Sequence, residues 1–268
     1  MSSLDRSEII GGPVSLVEYT VDGAVATITL NRPPVNALNE ELIGDIGNAV
    51  AEAAADVIRA VVITGEPHFA AGADIKGFQA AFDGGADERE SVGLRAVVAA
   101  LEALEKPTIA AVNGFALGGG LELAMGADYR YLAEDARVGQ PEILLGIIPG
   151  AGGTQRLARI VGFQRAKELC MTGRHVPAPE ALTIGIADKV APAGEALKLA
   201  QDDADRFAAG PTAAYAAVKR AVGGGYDVTL AEGMAIETEE FAAVFATEDA
   251  KIGVKAFLEK EKPEFTGR

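Results

Sequence analysis

Apolar residues in this chain follow two rhythms, and the change between them divides the sequence. In the first part, short unbroken apolar runs alternate with stretches of helical period. Ala60-Val61-Val62-Ile63-Thr64 and Thr108-Ile109-Ala110-Ala111-Val112 read as continuous apolar strands. Ahead of the first, Leu42, Ile43, Ile46, Val50 and Ala53 recur at helical spacing behind Asn39, a residue suited to capping a helix. A second helical stretch lies near Ser91 to Leu104. Strands that are apolar on both faces and separated by helices predict a mostly parallel sheet covered on both sides. Nearer the start, Val14 to Tyr19 and Ala24 to Leu30 flank Asp22-Gly23, a hairpin signal. Asn31-Arg32-Pro33-Pro34-Val35-Asn36 then reads as a turn.

From about Glu195 the strand pattern stops. Ala196 to Ala208, Thr212 to Val222, Thr229 to Phe245 and Glu248 to Lys260 read as helices, and Thr229-Leu230-Ala231-Glu232 forms a capping box. The predicted organisation is an N-terminal tail over residues 1–13, an α/β core over 14–195 and a helical C-terminal subdomain over 196–268.

Composition narrows the classes. Hydrophobic residues make up 49% and aromatic ones only 6%, with no Trp, so the core is aliphatic and rich in alanine. A formal net charge of −15 argues against nucleic acid as a partner, while leaving room for one anionic ligand held by local lysines and backbone dipoles. Cys170 is the single cysteine, which excludes an internal disulfide and fits a reducing compartment. No apolar run reaches the length needed to cross a bilayer, and Met1 to Glu8 lacks the basic-then-apolar order of a secretory signal, so the expected location is the cytoplasm. His68 and His175 are the only histidines and show no metal-ligand spacing, so no metal is expected. There is no G-x-S-x-G serine for a hydrolase triad. Cys170 reads as a small core residue, and Glu237-Thr238-Glu239-Glu240 as a solvated helix face.

Candidate chemistry gathers at three places. Gly118-Gly119-Gly120 runs into the helix-forming Leu121-Glu122-Leu123-Ala124-Met125, which offers free N–H groups at a helix start. Such groups can hold a developing oxyanion. Twenty residues beyond Glu122 comes Gln140-Pro141-Glu142, and two carboxylates brought to one point can handle a proton. The combination reads as an enzyme acting on a carbonyl compound. Each part also has a plainer reading. The glycines allow close helix–sheet packing, Glu122 alone is most often a solvated helix residue, and Glu142 after Pro141 fits a helix N-terminal acid. Phe69-Ala70-Ala71-Gly72-Ala73-Asp74-Ile75-Lys76 follows a strand, at the end where open α/β sheets hold ligands, or is a tight loop with Asp74 near a cap. Ile148 to Thr154 has the look of a phosphate loop. Gln155 stands where a dinucleotide fingerprint needs its last glycine, and the Lys-Ser/Thr of a P-loop is missing, which disfavours a nucleotide-binding dehydrogenase. It reads as a turn shaping a pocket wall.

Three segments together resemble the enoyl-CoA hydratase (crotonase) family: His68 to Lys76, Ala111 to Leu123, and Gly139 to Gly146 continuing through Pro149 to Arg156. The resemblance runs from about residue 15 to Lys260. It implies a spiral of ββα units with a helical C-terminal part, assembled as homotrimers that pair into hexamers. It implies that the backbone N–H groups of Ala73 and Gly119 form an oxyanion hole for an acyl-CoA thioester. Glu122 and Glu142 match the two hydratase glutamates, here assigned as base on the water and acid toward C2. Ala71, Gly72, Asp74, Ile75, Lys76 and Lys260 match positions beside coenzyme A, which is part of the substrate, so no separate cofactor is implied. The sequence departs from the family at Pro33-Pro34-Val35, where some members carry a basic residue, and at Gly77, where an acid is common. Residues 78–98 are expected to shape the acyl pocket. The implied activity is hydration of a trans-2-enoyl-CoA; the alternatives are an enoyl-CoA isomerase, a hydratase for a branched substrate, or a non-catalytic acyl-CoA binder.

Overall fold

A strand, a second strand and then a helix is the unit from which the first part of the chain is built. The computed structural model describes residues 15–74 and 89–268, so the predicted tail over 1–13 lies outside the described residues. The first unit is β1 (Val17–Asp22), β2 (Val25–Leu30) and α1 (Glu40–Glu52), with the hairpin turning at Gly23 as the Asp22-Gly23 pair predicts. β3 (Ala60–Gly65), β4 (Ala70–Ala71) and α2 (Arg89–Glu102) follow. Next come β5 (Thr108–Val112), β6 (Phe115–Leu117) and α3 (Gly119–Ala124). The fourth unit is β7 (Tyr129–Ala133), β8 (Arg137–Gly139) and a 3-10 helix (Pro141–Leu145). α4 (Gly153–Val161), α5 (Phe163–Thr172), β9 (Val176–Pro177), α6 (Ala178–Ile184) and β10 (Lys189–Ala191) complete the strand-bearing part.

The strands of each later unit separate. β3, β5 and β7 enter a six-stranded sheet of order β1-β2-β3-β5-β7-β10, whereas β4, β6 and β8 enter a four-stranded sheet of order β4-β6-β8-β9. Within the large sheet, β2–β3, β3–β5, β5–β7 and β7–β10 are all parallel. Each of the three later units therefore advances both sheets by one strand, which is the ββα spiral that the family resemblance implies. The second sheet is the feature that periodicity alone did not reveal, because its strands are only two or three residues long.

Period-two alternation divides the β3 side chains between two cores. Val61 and Ile63 join the larger core with Ile46, Leu101, Leu121 and Leu132. Ala60 and Val62 face the other way and pack with Ile109, Tyr131, Ala200 and Ala204. Ala200 and Ala204 belong to α7 (Ala196–Ala208), so the first helix after residue 195 covers a face of the large sheet. Strands end before that boundary, but packing continues across it.

Beyond α7 lie α8 (Thr212–Tyr226), α9 (Leu230–Phe245) and α10 (Glu248–Glu259). The capping box forms: Thr229 Oγ1 accepts from Glu232 N, and Glu232 Oε2 accepts from Thr229 N. After α10 the chain folds back. Asp249 accepts from Thr266 N and Gly267 N, and Arg59, just ahead of β3, donates to the carbonyls of Phe265 and Gly210. α9 has no buried residue, and α10 buries only Asp249 and Ala256.

Gly120 sets how closely α3 approaches β4, since a Cβ there would lie 2.1 Å from the Ala70 carbonyl oxygen. In an open helix Gly→Ala stabilises by up to about 1 kcal/mol. Here Gly120→Ala is expected to destabilise by about 2–3 kcal/mol through overpacking. Urea denaturation reads the sign directly.

Candidate active site

Three parallel strand ends of the small sheet lie side by side. Ala71 is in register with Leu117, and Leu117 with Gly139. Two residues beyond the first pair stand Ala73 and Gly119; three beyond Gly139 stands Glu142. Chain direction and register thus carry residues from distant parts of the sequence to one level.

The loop holding Ala73 is fastened on both sides. Leu38 N donates to Gly72 O and Asp74 N donates to Leu38 O, each at 2.8 Å. Arg32 ties the same two loops, donating to Ala37 O at 2.8 Å and to Asp74 Oδ2 at 2.7 Å. Between the two backbone bonds, the Ala73 N–H has no acceptor among the described residues, and neither has the Gly119 N–H at the start of α3. Both residues line one cavity of about 390 Å³ together with Glu122 and Glu142. Leu38, Ile43, Leu94, Leu144 and Ile148 make its wall largely apolar.

Glu122 and Glu142 meet there. A side chain at Gly118 would put its Cβ 3.1 Å from Glu142 Oε1, and one at Gly119 would put its Cβ 4.0 Å from Glu122 Oε2. Both carboxylates therefore stand close against the same glycine pair. Their surroundings differ. Glu122 is 3% exposed, and its Oε1 accepts two backbone N–H bonds, from Ala151 and Gly153, at 2.7 Å each. Burial raises its pKa, while those two bonds and the nearby Arg156 and Arg95 oppose the rise. Glu142 is pushed up to about 7 by burial, and the charge of Glu122 adds to the shift. With its amide turned to satisfy its neighbours, the buried Gln140 donates to Glu142 Oε1 at 2.8 Å and Oε2 at 3.1 Å.

The site residues expected from sequence are distributed unevenly. Glu122, Glu142, Ala73, Gly119 and Ala71 line the cavity. Gly72 supports the loop through its carbonyl, and Asp74 is held by Arg32. Lys260 ends α10 in a left-handed conformation, is exposed, and is not among the cavity residues. Ile75, Lys76 and Gly77, with most of the expected acyl-pocket segment 78–98, lie outside the described residues; Leu94 from that segment reaches the wall. The Gly150–Gly153 turn, read from sequence as a pocket wall, also supplies the two N–H bonds to Glu122. Its glycine-rich spelling was the available signal. His68 and His175 flank Phe115 instead, and no cluster of His, Cys, Asp or Glu among the described residues is placed to hold a metal ion. No helix among the described residues is long and apolar enough to cross a membrane.

The sequence matches the enoyl-CoA hydratase/isomerase family profile over residues 20–268. It is 42% identical over 249 residues to a short-chain-enoyl-CoA hydratase of Clostridium acetobutylicum, covering 91% of this chain and 94% of that one. It is also 42% identical to a crotonyl-CoA hydratase of Syntrophomonas wolfei, covering 91% of this chain and 95% of that one. The crystal structure of an enoyl-CoA hydratase from Bacillus anthracis superposes with a TM-score of 0.88 at 36% identity, over 94% of this chain and all of the other. Fold and sequence agree: the chain belongs to the enoyl-CoA hydratase/isomerase family.

Proposed function

We propose that the chain is an enoyl-CoA hydratase, adding water reversibly and syn across the double bond of a trans-2-enoyl-CoA to give a 3-hydroxyacyl-CoA. The observation that carries this reading is the meeting, in one apolar cavity, of two carboxylates and two backbone N–H groups that have no acceptor among the described residues. The double bond is conjugated with the thioester, so attack by water at C3 moves negative charge onto the carbonyl oxygen. N–H donors from Ala73 and Gly119 meet that charge in a fixed arrangement, an effect worth on the order of 10²–10³ in rate per donor. Glu122, whose Oε1 accepts two backbone N–H bonds that favour its charged form, takes the proton from water. Glu142, whose pKa lies at about 7, brings the proton that C2 receives. One water is consumed, one C–O and one C–H bond form, and the protein returns to its starting charge after proton exchange with solvent. Coupled acids share a titration, so the two roles describe the dominant protonation state of a pair.

Coenzyme A serves as the handle of the substrate, and its binding positions the reacting bond. Ala71, Gly72 and Asp74 flank the proposed thioester donor Ala73 along the chain, and Ile75 and Lys76 follow them in sequence. Lys260, exposed at the end of α10, is the further residue assigned to the nucleotide end. Self-association fits the exposed apolar side chains of the last helices, among them Leu230, Phe241, Phe245, Phe257 and Leu258, the last four between 65% and 84% exposed. A homotrimer, or two of them paired, would cover such a surface.

Loss of conjugated enoyl-thioester absorbance tests the activity. Glu122→Gln and Glu142→Gln are each expected to lower kcat by about 10²–10⁴ while leaving CoA-ester binding within a few-fold. Full turnover in Glu142→Gln removes that residue from the mechanism, and a parent enzyme that binds the ester without consuming the alkene is a binder. Sedimentation velocity is expected to report a species larger than the monomer.

A stability consequence follows from the raised pKa of Glu142. An acid that holds its proton more tightly in the folded state weakens folding as pH rises from its unfolded pKa of 4.5 through about 7. Allowing for solvent screening of a half-buried group, Glu142→Gln is expected to gain about 2 kcal/mol at about pH 8. Below about pH 4 both states are protonated and the gain disappears. Urea titrations at the two pH values measure it.

A further inference from the structure

The Gly150–Gly153 turn touches charge on both sides. Its N–H groups at Ala151 and Gly153 point at Glu122 Oε1. Its carbonyls point at arginines. Arg95 Nη2, on α2, donates to Gly150 O at 2.9 Å, and Arg156 Nη1, on α4, donates to Ala151 O at 3.2 Å. Gly150 O and Ala151 N belong to the same peptide unit. That unit therefore stands in line between a guanidinium and a carboxylate, with its dipole oriented favourably to both. Arg156 fits closely beneath the turn: a Cβ on Gly152, whose φ is +107°, would lie 2.2 Å from Arg156 Nη1. The Arg156 guanidinium is fixed from behind by Glu102 at 2.6 Å, and its Nε is buried without an acceptor among the described residues.

We infer that Arg95 and Arg156 are positioning residues for the hydration reaction: they clamp the turn by its carbonyls so that its N–H groups hold Glu122 as the anionic base, which makes the two glutamates unequal. The inference rests on the proposed hydratase reading for the word base. The charged and titratable groups around Glu122 come from four elements. Glu142 faces it from the 3-10 helix, Arg95 from α2, Arg156 from α4, and the half-buried Cys170 from α5 feels both carboxylates. The arginines are the cations of this set, and among the described residues no such cation acts on Glu142. Both arginines favour the charged form of Glu122, so their loss moves its titration upward and the base is lost to protonation at low pH first.

The test compares pH profiles of kcat/KM for enoyl-CoA hydration in the parent, Arg95→Met, Arg156→Lys and Arg156→Met. The acid limb is expected to move up by about half a pH unit in Arg95→Met, a roughly threefold loss at low pH that fades in the alkaline range. Arg156→Met is expected to move it further, and Arg156→Lys to recover part of the shift by keeping the charge. KM is expected to stay within about twofold, because neither arginine lines the cavity. Arg95 is exposed, so its variant carries the test if Arg156→Met does not fold. A second readout needs no turnover: carbon-13 titration of glutamate carboxyls in Glu142→Gln, with and without Arg95→Met, follows Glu122 directly. A higher Glu122 midpoint without Arg95 supports the inference. Profiles that fall equally at every pH, or a Glu122 midpoint that does not move, overturn it. A parent enzyme that hydrates nothing defeats the functional reading instead, and the titration still decides whether the arginines hold Glu122 charged.

Discussion

Everything at the site depends on parallel register in the small sheet. Ala71, Leu117 and Gly139 are neighbours across β4, β6 and β8, so the chain leaves three adjacent strands at one level and in one direction. Two N–H donors without an acceptor among the described residues, and one carboxylate, arrive there directly from the strand ends. The second carboxylate comes one turn into α3. A shift of one residue in any of these pairings would turn the outgoing backbone over and remove its donor from the cavity. These strands are too short to hold that register alone. The large sheet, with side chains of β3 and β5 buried in cores on both faces, fixes where each short strand begins.

A pair of acids in an apolar cavity would ordinarily neutralise one another's usefulness, because burial and mutual repulsion push both toward the protonated form. The structure divides them. Glu122 accepts two backbone N–H bonds and lies near two arginines, whereas Glu142 has an amide donor and its neighbour's negative charge. Two identical side chains thus sit in different electrostatic surroundings, the kind of difference that can set a base apart from an acid.

Much of this was legible in the sequence, and the reasons are particular. The apolar runs at 60–64 and 108–112 announce strands buried on both faces, and Asn39 and the Thr229 box announce helix starts; all four form. Glu122 and Glu142 were legible through the motifs around them, since neither residue taken alone outweighs a solvated surface acid. The small sheet was not legible, because two- and three-residue strands leave no period to read. The clamp on the Gly150–Gly153 turn was also hidden. Arg95 stands 55 residues before Gly150, and their contact is a product of how α2 folds back over the site. The glycine spelling showed that a tight turn was present but gave no sign of which way its N–H groups faced.

The segment after α10 has a different kind of consequence. α10 buries little apolar surface of its own, and what joins it to the rest of the chain is a set of directional polar pins: Asp249 gripping the N–H groups of Thr266 and Gly267, and Arg59 gripping the Phe265 carbonyl. Removing Thr266 and Gly267 would leave the nearly inaccessible Asp249 carboxylate without its two backbone donors, so a loss in that segment would be felt inside α10 while the Arg59–Phe265 bond stays in place.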